Sequence, residues 1–320
     1  MPAPTVAVII PTYKRADRLP AIVAALENQT VALDAVEVIV SDDCSPDETQ
    51  EVAARLARAS RLSLRVMKTE RNSGPAAARN IAWRSTSAPI LAFLDDDCIP
   101  TPGWIEGGLS AFSADDVGIV QGRTIPDPSS PLDPSHPIRY KGVSQQIDGL
   151  NGHYEACNIF YRRSVLDAVG GFDETIPFFG EDTVPAWAAL RLGVGDRFGP
   201  DALAYHDVRD RGLRWYLRWA LLHRNFPLLL RRFPERRRQE LWVHTFLWPR
   251  HAALLAALAG IGLAWAWPPA LVLATPALAR YGPWKLKSDD VVGGVAEAVF
   301  DTLVIGALIA GAVRQRTPML

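Results

Sequence analysis

Three consecutive carboxylates, Asp95, Asp96 and Asp97, close the apolar run Ile90–Leu94. Like charges at that spacing repel one another and call for a cation. A strand that delivers carboxylate oxygens to its C-terminal end offers a hard-oxygen site for a divalent ion, and open α/β sheets bind ligands at that end. Taken alone, a solvated acidic turn would have the same sequence. Three further polar clusters end apolar runs: Pro11-Thr12-Tyr13-Lys14-Arg15, Ser41-Asp42-Asp43, and Arg71 to Pro75 leading into Arg79-Asn80. If the four runs are parallel strands of one sheet, their ends share one rim. There Tyr13 can stack on a base, and Asp43 can accept from a base N–H. Arg15 and Arg79 can meet phosphate, and the triple Asp can hold an ion that bridges a diphosphate.

The elements that must position these residues are legible as an alternation. Val6–Ile10 reads as a strand stopped by Pro11, and Leu19, Ile22, Val23 and Leu26 follow helical spacing. Val36–Val40 is a second strand. Ser45-Pro46-Asp47-Glu48 then predicts a helix start, with Ser as cap, Pro at the first position and Ser-x-x-Glu as a capping box. Leu64–Met67 is a third strand, Gly74–Ser85 an Ala-rich helix, and Ile90–Leu94 a fourth strand. Strand and helix in turn, with short links, imply an α/β fold: a mainly parallel sheet with helices on both faces. A helix is also expected over Val184–Leu192. Pro126–Pro137 holds five prolines in twelve residues and reads as a surface loop.

The second part of the chain changes character near residue 210. Between Asp207 and Arg238, ten arginines meet only three carboxylates, although the chain as a whole has a net charge of −1. The global charge therefore gives no argument for nucleic acid, while the block marks a face touching water or anions. Ala252–Ala279 runs 28 residues without a charge, flanked by aromatic residues, and Val291–Val313 is apolar except for Glu297 and Asp301. The first stretch suits one tilted membrane span or a tight hairpin and is short for two spans. A buried helical core is the alternative. Glu297 and Asp301 lie four apart on one helical face, which must meet protein or headgroups rather than lipid tails. The expected organisation is a catalytic domain over 1–210, basic amphipathic juxtamembrane helices over 211–245, and a membrane-associated helical region over 246–320. Three widely spaced cysteines and the lack of a secretory signal fit a reducing compartment. With the arginine block, this predicts a catalytic domain on the cytoplasmic face of an inner membrane.

Five segments, in order, resemble the family 2 glycosyltransferases. They are Ile9 to Tyr13, Val40 to Thr49, Asn72 to Asn80, Phe93 to Asp97, and Gly170-Gly171-Phe172-Asp173-Glu174 followed by Gly180-Glu181-Asp182. The resemblance spans about residues 5–206 and implies a GT-A (Rossmann-like) nucleotide-sugar-binding fold and inverting glycosyl transfer. By that resemblance Pro11, Thr12, Tyr13, Arg15, Asp43, Gly74, Arg79, Asp95 and Asp96 form the donor side. Asp97, His206 and Asp95 are the candidate ligands for Mn²⁺ or Mg²⁺, with Asp97 foremost. Asn158 and Trp187 are placed on the acceptor side, and Asp182 is the candidate general base, with Glu181 beside it. One carboxylate suffices for such a displacement, because the leaving diphosphate needs charge stabilisation and not a protein acid. Two positions depart from the family pattern. Cys44 stands where Gly is common, and Ala188 follows Ala186-Trp187 where Arg is common.

The expected partners are a nucleotide-diphosphate sugar, a lipid-linked or cell-surface glycan acceptor, and a membrane. A sugar nucleotidyltransferase would normally carry a Gly-rich basic loop after the first strand, and Pro11-Thr12-Tyr13 offers none. A membrane-tethered protein that binds a nucleotide sugar without turnover would leave Asp182 dispensable.

Overall fold

The computed structural model describes residues 4–136, 138–176, 179–281 and 288–319, with side chains omitted for 288–290. Its contacts divide the chain into two units, one comprising residues 1–130 and 144–207 and the other 131–143 and 208–320.

The first unit is built on an eight-stranded sheet among the described residues. Strand β1 is Val6–Thr12, β2 Val36–Asp42, β3 Ser63–Lys68 and β4 Ile90–Leu94. They pair in parallel in the order β3-β2-β1-β4. All seven residues of β1 and all five of β4 are buried, as strands covered on both faces must be. β5 is Cys98–Pro100, β6 Val117–Pro126, β7 Asn158–Arg162 and β8 Gly195–His206. β7 runs antiparallel to both β4 and β6, and β5 antiparallel to β8, so the sheet is mixed beyond its parallel half.

Helix α1 is Leu19–Glu27, α2 Thr49–Ala59, α3 Pro75–Arg84, α4 Trp104–Ser110, α5 Arg163–Val169 and α6 Thr183–Arg191. Val6, Val8 and Ile10 of β1 share one core cluster with Leu19, Ile22 and Leu26 of α1. By the two-residue period Ala7 and Ile9 point to the opposite face. There Phe93 of β4 meets Tyr161 and Phe172 edge-on.

Two local expectations need correction. Pro11 does not stop β1, which continues to Thr12 with Pro11 opposite Ser41. Pairing with β4 ends at Ile9↔Phe93, so beyond that point β1 is an edge on one side and tolerates a residue without an N–H. Ser45 does not cap α2, which begins at Thr49. Its amide and hydroxyl donate to the Asp42 carboxylate instead, and its hydroxyl accepts from the Lys14 N–H at 2.9 Å. The Cys44 backbone turns with φ of 57°, a left-handed conformation that Gly adopts at no steric cost.

The second unit is helical. α7 is Gly212–Leu222, α8 Phe226–Arg232, α9 Arg237–Glu240, α10 Pro249–Leu263, α11 Thr275–Tyr281 and α12 Ser288–Gln315. The basic helices over 211–245 thus fall in the same unit as 246–320. Residues Val291–Gln315 are long and apolar enough to cross a membrane by length and composition. Glu297 and Asp301 meet protein, as the sequence demanded: Arg280 lies 3.0 Å from Glu297, and Arg250 lies 2.8 Å from Asp301. Lys285 and Lys287 lie outside the described residues, as does Pro137.

Candidate active site

The parallel strands bring four polar clusters to one rim. The Asp43 N–H donates to the Thr12 carbonyl at 2.8 Å, which joins the ends of β1 and β2. The Tyr13 N–H donates to Asp96 Oδ2 at 3.3 Å, and Arg15 Nε donates to Asp96 Oδ1 at 3.2 Å. Asp96 is therefore held by the β1 end. Burial, reinforced by repulsion from Asp97, pushes its carboxyl up to about 7. Tyr13 is 39% exposed, and the Lys14 ammonium lies 5.3 Å from the centre of its ring.

Asp43 is buried and already bonded. It accepts the Thr69 hydroxyl at 2.8 Å, the Ser73 N–H at 2.9 Å and the Gly74 N–H at 2.7 Å. Its carboxylate thus holds the turn into α3, where Gly74 has φ of 92°. Pro11 and Thr12 are buried in β1 beneath this turn.

Arg79 projects from α3 into a buried cluster of carboxylates. Nη2 donates to Asp95 Oδ1 at 2.8 Å, and Nη1 reaches Glu181 Oε1 at 3.5 Å. Burial alone would lower its affinity for the proton, but Asp95, Glu181 and Asp182 together outweigh that and hold it raised. Asn80, its neighbour, fixes the segment that carries these acids. Its Nδ2 donates to the Phe172 carbonyl at 2.8 Å and to Glu174 Oε1 at 2.7 Å, while Oδ1 accepts the Phe172 N–H at 3.0 Å. A Cβ on Gly171 would stand 2.6 Å from Asn80 Oδ1, which accounts for glycine there.

Glu181 and Asp182 sit at the start of α6. Glu181 is buried, and Asp182 is half-buried. Burial drives both carboxyls above the ordinary carboxylate range, with Arg79 opposing the shift. Asp182 Oδ2 accepts the Ala156 N–H at 3.2 Å, and among the described residues no hydrogen-bond donor reaches Oδ1. A raised pKa and an uncommitted oxygen are what a general base requires.

His206 is delivered by strand pairing, because β5 begins directly after Asp97 and Cys98 faces His206 across the ladder. His206 Nε2 lies 3.5 Å from Asp97 Oδ1. Nδ1 lies 2.8 Å from the Asp207 carbonyl and 3.4 Å from the Gln145 N–H; in the tautomer whose Nδ1–H donates to that carbonyl, the Nε2 lone pair turns to Asp97. One atom each of Asp97, Cys98 and His206 fall within 4.8 Å of one another. The Cys98 thiol is hydrogen-bonded to the free Cys157 thiol and buried, and both effects push it well above its usual range. Its sulfur is a soft donor, poorly matched to a hard divalent ion. A carboxylate and an imidazole remain, a donor set able to hold a divalent ion.

The structure also separates residues that the sequence grouped. Asp95 turns to Arg79 rather than to His206. Asn158 is fully buried and saturated: it donates to the Arg123 and Ala202 carbonyls and accepts the Trp104 N–H. Trp187 is also buried, and its indole N–H donates to the Gly152 carbonyl at 2.8 Å. Both are internal braces, and neither offers a surface to an acceptor. Sequence reasoning assigned no role to Asn80 or to the Ala156 amide. Asn80 was findable from its place beside Arg79, whereas a backbone N–H leaves no signal.

The family model described as Glycosyl transferase family 2 matches residues 7–170. The chain belongs to this family. Glycosyltransferase AglE of Haloferax volcanii is 31% identical over 212 residues, covering 65% of this chain and 69% of that protein. A pre-mycofactocin glycosyltransferase of Mycobacterium tuberculosis is 29% identical over 245 residues, and the match spans 48% of that longer protein. Among solved structures, mannosyltransferase PcManGT from Pyrobaculum calidifontis, in complex with GDP-Man and Mn²⁺, superposes with a TM-score of 0.60 at 23% identity. That match covers 98% of this chain and 87% of that one. S. aureus TarS 1–349 with UDP gives a TM-score of 0.53 at 17% identity, covering 98% and 92%. The fold is GT-A-like, and the chain is a family 2 glycosyltransferase.

Proposed function

We propose that this chain moves a sugar, with inversion, from a nucleotide-diphosphate sugar to a hydroxyl of a lipid-linked or cell-surface glycan acceptor at the cytoplasmic face of a membrane. The observation that carries this reading is the pairing of two distinct acidic centres in one unit. One is Asp97 with His206 Nε2, and the other is Asp182 with a free Oδ1. The GDP-Man and Mn²⁺ of the Pyrobaculum neighbour support the donor class and the ion.

Asp97 and His206 would hold the divalent ion. When bound it supplies positive charge to the diphosphate. Tyr13 offers its ring to the base, and Asp96, fixed by Arg15 and the Tyr13 amide, faces the ribose. Asp182 Oδ1 takes the proton of the acceptor hydroxyl as that oxygen attacks the anomeric carbon. A new C–O bond forms, the bond from the anomeric carbon to the diphosphate oxygen breaks, and the electron pair leaves on the diphosphate. Arg79 keeps Asp95 and Glu181 in place and counters the charge gathered around the base.

Membrane association is supported by the uncharged stretch 252–279 and by the exposed arginines of α7 and α8. Membranes carrying the full chain, supplied with Mn²⁺ and a panel of nucleotide sugars, should release nucleoside diphosphate from one donor class. Tight donor binding with no release from any donor would overturn the enzymatic reading in favour of a binding protein.

A further inference from the structure

The second unit contains a hairpin with no charged side chain over residues 252–279. Its first arm is α10. Its second is a 3₁₀ segment over Pro268–Ala274 followed by α11. The arms pack through small residues: Ala257, Ala274 and Ala277 form the seam, and a Cβ on Gly260 would stand 2.6 Å from the Ala270 carbonyl oxygen. The outer surface is the reverse. Leu258, Ile261, Val272 and Leu278 are exposed, and at the tip Trp265 is 94% exposed and Trp267 60%. So much bare apolar surface without a single charge is unfavourable in water.

Charge is confined to the base of the hairpin. Arg250 pairs with Asp301 and stacks 3.8 Å over Trp248, Arg280 pairs with Glu297, and the Tyr281 hydroxyl donates to Asp301 at 2.5 Å. Both arms are thereby fixed to α12 at one end and bare at the other. Fifteen residues of α10 span about 22 Å, short of the ~30 Å hydrocarbon core.

α12 itself is clasped by arginine-bearing segments. Arg139 and Arg280 hold Glu297, Phe300 stacks on Tyr216 of α7 at 4.3 Å, Gly311 lies against the Arg224 carbonyl, and Arg231 of α8 donates to Gln315. Glu297 and Gln315 are about 27 Å apart along the helix, so these contacts occupy nearly the length that a bilayer would need. Burying that stretch in lipid would take Arg224 and Arg231 with it.

We propose, building on the membrane reading above, that residues 252–279 insert as a re-entrant hairpin into one leaflet, with Trp265 and Trp267 leading. α12 stays out of the hydrocarbon as the core of a peripheral helical unit. The exposed arginines at 214, 218, 231, 232 and 238 draw this unit to anionic headgroups. No segment of the tail then crosses the bilayer.

The test uses the full chain with vesicles of phosphatidylcholine and phosphatidylglycerol carrying brominated acyl chains. Tryptophan fluorescence should be quenched on binding, and the double variant Trp265→Phe, Trp267→Phe should still bind while losing most of the quenching. Trp265→Ser with Trp267→Ser should weaken vesicle binding by at least about tenfold. In sealed inside-out membrane vesicles, an epitope placed after Tyr281 and one at the C-terminus should both be cut by added protease. Protection of either epitope, with binding intact, would overturn the hairpin and leave the membrane reading standing. Failure of the wild-type chain to bind any vesicle would overturn both. A dimer in the absence of lipid that the two serine substitutions dissolve would make the tip a contact between copies and overturn the insertion.

Discussion

Arg79 Nη2 donates to Asp95 Oδ1 at 2.8 Å and thereby ties the first carboxylate of the triplet to helix α3. The same guanidinium reaches Glu181, so one buried cation joins the end of β4 to the start of α6. Truncating one partner of a buried pair leaves an uncompensated charge and costs about 3–5 kcal/mol. Arg79→Ala should lower unfolding stability by about that amount in a denaturant titration and abolish transfer. A stable, active variant would show that the cluster does not need its cation.

Burial raises Asp182 above the usual carboxylate range, and a base works only when deprotonated. Activity should therefore fall as pH drops through that raised value, at a pH well above the ordinary ~4. The acid limb of kcat/KM measures this directly. A limb at the ordinary carboxylate value would place the base elsewhere.

The same shift has a stability consequence of defined sign. The native state holds a proton on Asp182 that the unfolded chain has released, so native stability declines as pH rises between the unfolded and folded values. Asp182→Asn removes this loss while keeping a side chain that can accept the Ala156 N–H. Its midpoint at neutral pH should equal or exceed that of the parent. A clear loss of stability would mean that the carboxylate is structural.

Asp97 and His206 are the carboxylate–imidazole pair that the proposed mechanism gives to the ion. Chelator should abolish transfer, and Mn²⁺ or Mg²⁺ should restore it. His206→Ala should raise the metal concentration needed for half-activity by about tenfold or more. Full activity in chelator would contradict the site.

Gly171 has φ of +85°, and a Cβ there would press on Asn80 Oδ1 and Trp83 Nε1. Gly171→Ala should destabilise by about 1–3 kcal/mol and lower kcat by loosening Phe172 and the segment leading to Glu181. An unchanged melting midpoint would refute the contact.

The parallel half of the sheet was legible because buried strands carry unbroken apolar runs, as Ile90–Leu94 does. The antiparallel strands were not, since β5 is three residues long and β8 holds Gly195, Gly199 and Pro200, so pairing partners and not local pattern define them. Asp97, His206 and Asp182 were named from motif position, and the structure sets Asp97 beside His206 and Asp182 at the start of α6. Which carboxylate turns to which partner was invisible, because Asp95 and Asp97 differ only in whether Arg79 or His206 stands opposite. Asn158 and Trp187 misled for a similar reason. A polar or aromatic residue beside a site has the same sequence signature whether it faces ligand or braces a strand.

The most direct test of the central claim compares the full-length parent with Asp182→Asn in one assay, reading nucleoside diphosphate release and donor binding from the same preparation. Transfer should fall by at least about a hundredfold while donor affinity and the melting midpoint hold. Undiminished release by the folded variant would contradict the assignment of Asp182 as the base on which the mechanism rests.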